Sequence, residues 1–214
     1  MPDQNRIILA IYCLARKMNM QKTPSLILAS SSITRRALLD RLNFPYQIDK
    51  PDIDERVLDG ENAATACLRL ARQKAQIVAL RHPRSVVIGS DQLVECASQI
   101  IGKPHTAERA SAQLRMMSGK TVLFHVAVAV IHADGAVHTT AEIVTVQMRA
   151  LRDTEIQHYI QHELPLDSAG SMKSEGLGIT LLESMHSDDP TAIMGLPLIA
   201  TARLLRAAGI NPLG

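Results

Sequence analysis

A chain of 214 residues has room for one generous domain, and an apolar fraction of 46% supplies a substantial core. With no Trp, 3 Tyr and 2 Phe, that core must be aliphatic, and the aromatic platforms on which single-stranded nucleic acids stack are missing. A net charge of +2, spread along the chain, leaves no basic face for DNA or a membrane; dispersed Cys13, Cys67 and Cys96 without a C-x-x-C point to a reducing compartment, with Cys67 as helix packing. Residues 7–15 form an apolar run too short for a bilayer, which needs roughly 20 residues. Arg16 and Lys17 follow it where a signal peptide would place small residues, so 1–23 is set apart as an extension outside the core.

Residues 26–30 read as a buried strand running into Ser30-Ser31-Ser32, and 33–42 as a helix with Leu38, Leu39 and Leu42 on one face. A short strand at 46–48 precedes the acidic loop Asp52-Ile53-Asp54-Glu55, and 61–80 is the longest helical pattern. A buried strand at 86–88 leads into Gly89-Ser90-Asp91-Gln92, and 106–117 is helical. Residues 121–131 and 137–148 read as antiparallel strands joined by a Gly-containing turn. A helix follows at 153–162 with Asp153 as its N-cap, then a Ser/Gly-rich functional loop at 168–178, and a closing helix at 195–208. This order predicts an α/β fold with a mixed sheet.

Two placements of positive charge ask for an anion. The first turn of the 33–42 helix carries Arg35 and Arg36, although a helix N-terminus is already partly positive and has free N–H groups. With Ser30 and its neighbouring hydroxyls, these arginines describe a phosphate cradle; a serine N-cap with solvated arginines is the alternative. On the long helix, Lys74 falls within roughly 60° of Cys67, Ala71 and Val78, in the middle of the apolar stripe. Its ammonium must snorkel out or meet an anion, and removing it as Lys74→Met is expected to keep or raise stability. Lys103 and Lys173 add cations, while Asp91 and the Asp52/Asp54/Glu55 cluster add the carboxylates with which magnesium is held beside phosphates.

Other motifs fail. Ser118-Gly119-Lys120-Thr121 imitates the end of a P-loop, but Leu114 stands where its first glycine belongs. His158 and His162 have a zinc-helix spacing without a third ligand, and Gly176-Leu177-Gly178 is too short for a dinucleotide fingerprint.

Residues 26–36, ending Ser-x-x-Arg-Arg, resemble the opening of the Maf (septum-formation inhibitor-like) family. Asp54-Glu55, Ala71-Arg72-Gln73-Lys74-Ala75, Ile88-Gly89-Ser90-Asp91-Gln92 and Ile101-Gly102-Lys103-Pro104 are similar to its later motifs, in the same order. The resemblance implies an elongated Maf/inosine-triphosphatase-like α/β fold, two lobes around a cleft, with 24–214 as one catalytic domain. It implies hydrolysis of a nucleoside triphosphate to monophosphate and pyrophosphate, a divalent cation (Mg²⁺, or Mn²⁺) and a cytoplasmic location; charge and composition add the expectation of neither nucleic-acid nor membrane partners, and a homodimer stays open. Asp91 takes the place of the family's proton acceptor and, with Glu55, would hold the metal; Thr34, Gln92 and Glu175 take its specificity positions. The loop Ser171-Met172-Lys173-Ser174-Glu175 is similar to the 7-methyl-GTP subgroup, whereas Ile33-Thr34 replaces that subgroup's Pro-Trp and removes a stacking surface. Pyrophosphatases for dTTP/UTP or for other modified nucleotides, and a nucleotide-binding regulator of cell division, are the competing readings.

Overall fold

The computed structural model describes residues 24–214; the extension, its apolar run and Cys13 lie outside the described residues. Seven strands form one mixed sheet: β1 (Leu26–Ala29), β2 (Tyr46–Ile48), β3 (Val86–Cys96), β4 (Gln99–Ile101), β5 (Thr121–Ile131), β6 (Val137–Met148) and β7 (Leu182–His186). Its order is β2-β1-β3-β5-β6-β7, with β4 on the edge of β3; β1 runs parallel to β2 and β3, and every other pairing is antiparallel. The helices are α1 (Ile33–Asp40), α2 (Ala63–Arg81), α3 (Ala107–Met117), α4 (Asp153–Glu163) and α5 (Leu198–Ala207).

Alternation along β3 and β5 builds the core on two faces. Near β1, Leu28, Ile88 and Val128 pack against Leu38 and Leu39 of α1 and Leu205 of α5. On the opposite face Ile27, Val87 and Ala129 meet Cys67, Ala71, Ala75 and Val78 of α2. Toward the other end of the long strands, Val94, Phe124 and Val146 pack against Leu114 of α3 and Ile156 and Tyr159 of α4. β3 and β5 therefore join two lobes, each with an apolar core of its own.

The small residues of α2 have a structural purpose. A Cβ at Gly89 would stand 2.3 Å from the Ala71 carbonyl oxygen and 2.6 Å from the Ala75 nitrogen, so only glycine lets helix and strand come this close. That approach carries Lys74 of α2 to the strand at Asp91.

Several boundaries differ from the sequence reading. Gly89-Ser90-Asp91-Gln92 lies inside β3, because β5 pairs with every residue from Val87 to Cys96 and the ladder overrides the local turn propensity. Residues 195–197 are a turn: Gly195 has φ +96° and α5 starts only at Leu198. Helix α4 is entered through Arg152, whose N–H donates to Glu155 Oε2, while the carboxylate of Asp153 takes Arg115 Nε at 2.6 Å instead of capping. Among the described residues, no helix is long and apolar enough to cross a membrane.

Candidate active site

The site grows from a gap in the sheet. β1 covers the edge of β3 up to Gly89, and β4 covers it again from Val94; residues 90–93 between them have neither neighbour. Side chains alternate here, so Asp91 faces α2 while Ser90 and Gln92 face the turn at 192–195. A break in strand pairing where a parallel strand gives way is a place where open sheets admit ligands.

Asp91 and Lys74 are both buried, at 5% and 4% exposure. Lys74 Nζ donates to Asp91 Oδ1 at 2.6 Å and pairs with Glu55 Oε1 at 2.9 Å. Lys74 therefore does not snorkel; it meets an anion, and the anion is supplied by the chain itself. Burial works to raise the Glu55 carboxyl, but the charge and hydrogen bond of Lys74, then the charges of Lys103 and Arg35, hold it below the usual carboxylate range. These three cations thus bear on one carboxylate. Cys67 donates its thiol to the Asp91 and His125 carbonyls, and burial, then the Asp91 charge, push it up to about 12. That thiol packs and does not react.

The serine–arginine junction closes one wall. Ser32 caps α1 by accepting the Arg35 N–H at 3.2 Å, and buried Ser30 accepts the Ser32 N–H at 3.1 Å. Arg35 Nε donates to the Gly195 carbonyl at 2.8 Å, Ser90 Oγ reaches the same carbonyl at 2.8 Å, and Gln92 Nε2 donates to the Ile193 carbonyl at 2.7 Å. Thr34 Oγ1 donates to Glu175 Oε1 at 3.2 Å, joining two of the expected specificity residues from α1 and the 168–178 loop.

Lys74, Asp91 and Glu55 meet at one ammonium, and the charges of Lys103 and Arg35 reach the same Glu55 carboxylate; Arg35 and Gln92 share the 193–195 turn, Ser30 follows β1 and meets Ser32, and Thr34 pairs with Glu175. Arg36 and Lys173 are placed elsewhere than expected. Arg36 is exposed and its charge acts on Tyr46, because the next residue round the helix faces away from the gap. The ammonium of Lys173 donates to the Glu163 and Leu164 carbonyls at 3.1 and 3.3 Å, where the C-terminus of α4 favours a cation. Its backbone is equally committed: the Lys173 carbonyl accepts the Gly176 and Gly178 N–H groups, and a Cβ at Gly178 would meet that carbonyl oxygen at 2.3 Å. The loop therefore presents Glu175 and holds Lys173 back.

The residues missed in the sequence are those of the turn. Asp189, 1% exposed, accepts from Thr191 N, Thr191 Oγ1 and Ile199 N, fastening residues 189–199 in place. The spacing Asp189-x-Thr191 ahead of Gly195-Leu196-Pro197 is a turn signature that could have shown it. Among the described residues, no group of three or more His, Cys, Asp and Glu side chains gathers to hold a metal. Glu55 Oε1 and Asp91 Oδ1 both meet the Lys74 ammonium, so these are the two carboxylates of the site that could hold a divalent cation.

Residues 25–208 match the family model described as Maf-like protein. The chain belongs to the Maf family. A relative from Bordetella avium (strain 197N), named 7-methyl-GTP pyrophosphatase, is 51% identical over 195 residues, covering 91% of this chain and 98% of that one. Another of that name, from Xanthomonas campestris pv. campestris (strain 8004), is 49% identical over 188 residues, covering 88% and 98%. The solved Ham1 protein of Staphylococcus aureus overlaps 59% of this Maf chain and 72% of its own at TM-score 0.43 and 13% identity, and nothing about substrate follows from it.

Proposed function

We propose that this Maf protein is a cytoplasmic pyrophosphatase that hydrolyses 7-methyl-GTP to 7-methyl-GMP and pyrophosphate. The observation that carries the reaction is the buried Asp91–Lys74 pair at the sheet gap, joined by the exposed Glu55 carboxylate, which lies within the fields of Arg35 and Lys103. Names of relatives about half identical over nearly their whole length support the substrate.

Arg35, Lys103 and the free N–H groups at the start of α1 take the charge of the triphosphate and set its α-phosphorus over β3. Lys74 engages Asp91 through Oδ1, and the Asp91 carboxylate orients the attacking water and accepts its proton. The new P–O bond forms as the bond from the α-phosphorus to the bridging oxygen breaks, and pyrophosphate leaves. Positioning and charge stabilisation supply most of the catalysis. Glu55 and Asp91 would hold Mg²⁺, whose contribution when bound is to draw charge from the phosphate oxygens.

The base is read by charge. Methylation makes the purine cationic, and Glu175, held by Thr34, offers it a carboxylate that a neutral pyrimidine cannot use. Loss of the stacking Trp costs about 1–2 kcal/mol by comparison with other cation–aromatic contacts, blunting the preference without reversing it. Pyrophosphate release from 7-methyl-GTP, GTP, dTTP and UTP at equal concentration tests this. We expect 7-methyl-GTP to turn over fastest and its lead to narrow in Glu175→Gln. Faster pyrimidine turnover, or a preference unchanged in that variant, overturns the substrate assignment.

A further inference from the structure

Arg35 of α1 and two neighbours on β3 reach one turn: Arg35 Nε and Ser90 Oγ meet the Gly195 carbonyl, and Gln92 Nε2 donates to that of Ile193. The turn itself is held rigidly. The buried Asp189 carboxylate takes three donors, and Thr191 Oγ1 accepts the Leu198 N–H at 2.8 Å, tying the turn to the start of α5. Satisfied buried networks of this kind fix one geometry.

We propose that this turn is a positioning device for Arg35: Ser90 sets the Gly195 carbonyl, and that carbonyl sets the guanidinium that faces the polyphosphate. The inference rests on the reading of the gap as a polyphosphate site. A guanidinium has five N–H donors in one plane. Anchoring Nε fixes that plane and leaves Nη1 and Nη2 as a fork for phosphate oxygens, with the side-chain freedom already removed before substrate arrives. Ser90 is fully buried and has one hydroxyl proton for two carbonyl oxygens, of Ala127 and Gly195, each at 2.8 Å. The Gly195 carbonyl therefore calls for a second donor, and Arg35 is that donor. Glycine is required here: φ is +96°, and a Cβ would stand 3.3 Å from Arg35 Nε and 3.4 Å from Gln92 Oε1. Ser90 and Gly195 touch no substrate in this scheme; they act through Arg35.

A double-mutant cycle separates positioning from mere support. Ser90→Ala and Gly195→Ala are each made in the wild type, in Arg35→Met and, as a control background, in Lys103→Met. The readouts are kcat/KM for 7-methyl-GTP, Kd for inorganic pyrophosphate with Mg²⁺ by calorimetry, and Tm. Each substitution should lower kcat/KM and pyrophosphate affinity roughly five- to tenfold in the wild type, the usual worth of one hydrogen bond. The same loss should persist in Lys103→Met and vanish in Arg35→Met, whatever happens to Tm. Equal losses in both backgrounds overturn the proposal and make the turn a scaffold. If Ser90→Ala fails to fold, Gly195→Ala carries the cycle from the other partner. A wild type that binds pyrophosphate but leaves 7-methyl-GTP intact sinks the substrate reading alone, and the Kd cycle still decides the positioning role. No pyrophosphate binding by the wild type overturns both.

Discussion

Lys74 shows how a partner changes the sign of a prediction. Taken by itself, an ammonium in an apolar stripe is a cost, and Lys74→Met should then preserve or raise stability. The structure reverses that expectation, because Asp91 is as deeply buried as Lys74 and would lose the charge that offsets its own burial. Removing one member of a buried pair costs about 3–5 kcal/mol, on the order of 10 °C in Tm for a domain of this size. Thermal melts of Lys74→Met should show that fall together with a lower kcat/KM; an unchanged or higher Tm would mean that the Asp91–Lys74 bond contributes nothing. Asp91→Asn is the complementary experiment. The amide oxygen still accepts from Lys74, so circular dichroism should report a native fold, while loss of the proton acceptor lowers kcat by roughly 10²–10⁴. Comparable kcat in variant and wild type would remove Asp91 from the chemistry.

At the scale of elements, α2 is positioned at both its start and its middle. Asn62 caps it by accepting the Thr65 N–H, and Arg69 reaches back to the chain that leads in, with Nε at 2.6 Å from Glu61 Oε1 and Nη2 at 2.7 Å from Oε2. The same Nη2 donates to the Arg56 carbonyl, so this staple also steadies the loop that carries Glu55. Hydrogen bonds from Arg69, then from the Leu58 N–H, pull the Glu61 carboxyl down from 4.5 to about 2. A depressed carboxyl stabilises fully above its ordinary value and loses that stabilisation as pH falls through the folded-state value. The Tm gap between wild type and Glu61→Gln should therefore be constant at neutral pH and close between pH 4.5 and about 2. A gap independent of pH down to the acid limit would show that the pairing carries no net stability.

For the whole molecule, the two apolar cores share the long strands β3 and β5, and the Thr34–Glu175 bond ties α1 to the 168–178 loop. Every residue assigned to the site lies after Pro24. The anchor of β1 is intact from Ser25 onward, since the Ser25 carbonyl accepts the Val86 N–H at 2.8 Å and its hydroxyl meets that of Ser85 at 2.7 Å. Deleting residues 1–23 should leave a folded, active protein by size-exclusion chromatography and pyrophosphate release. An insoluble or inactive product would mean that the extension packs on the domain.

Local periodicity and local charge were legible in the chain alone. The 3.6-residue stripe of α2 placed Lys74 inward, Ser30-Ser31-Ser32 followed by arginines marked an anion-seeking helix start, and the alternating runs announced β5 and β6. Order along the chain yielded the α/β class and the family resemblance. Which charges meet is a property of the packed fold. Lys74 finds Asp91 because Gly89 lets α2 approach β3, and Arg35 rather than Arg36 enters the site because Gly195, 160 residues on, offers it a carbonyl. Residues 89–92 continue β3 against their own turn propensity because β5 lies alongside, and the short strands β4 and β7, with no pattern of their own, exist through their partners. The reason is common to all of these. A residue's pattern states which face it prefers, but the distance between two side chains far apart in sequence is set by strand register and by how closely backbones can approach, and neither is encoded at either residue alone.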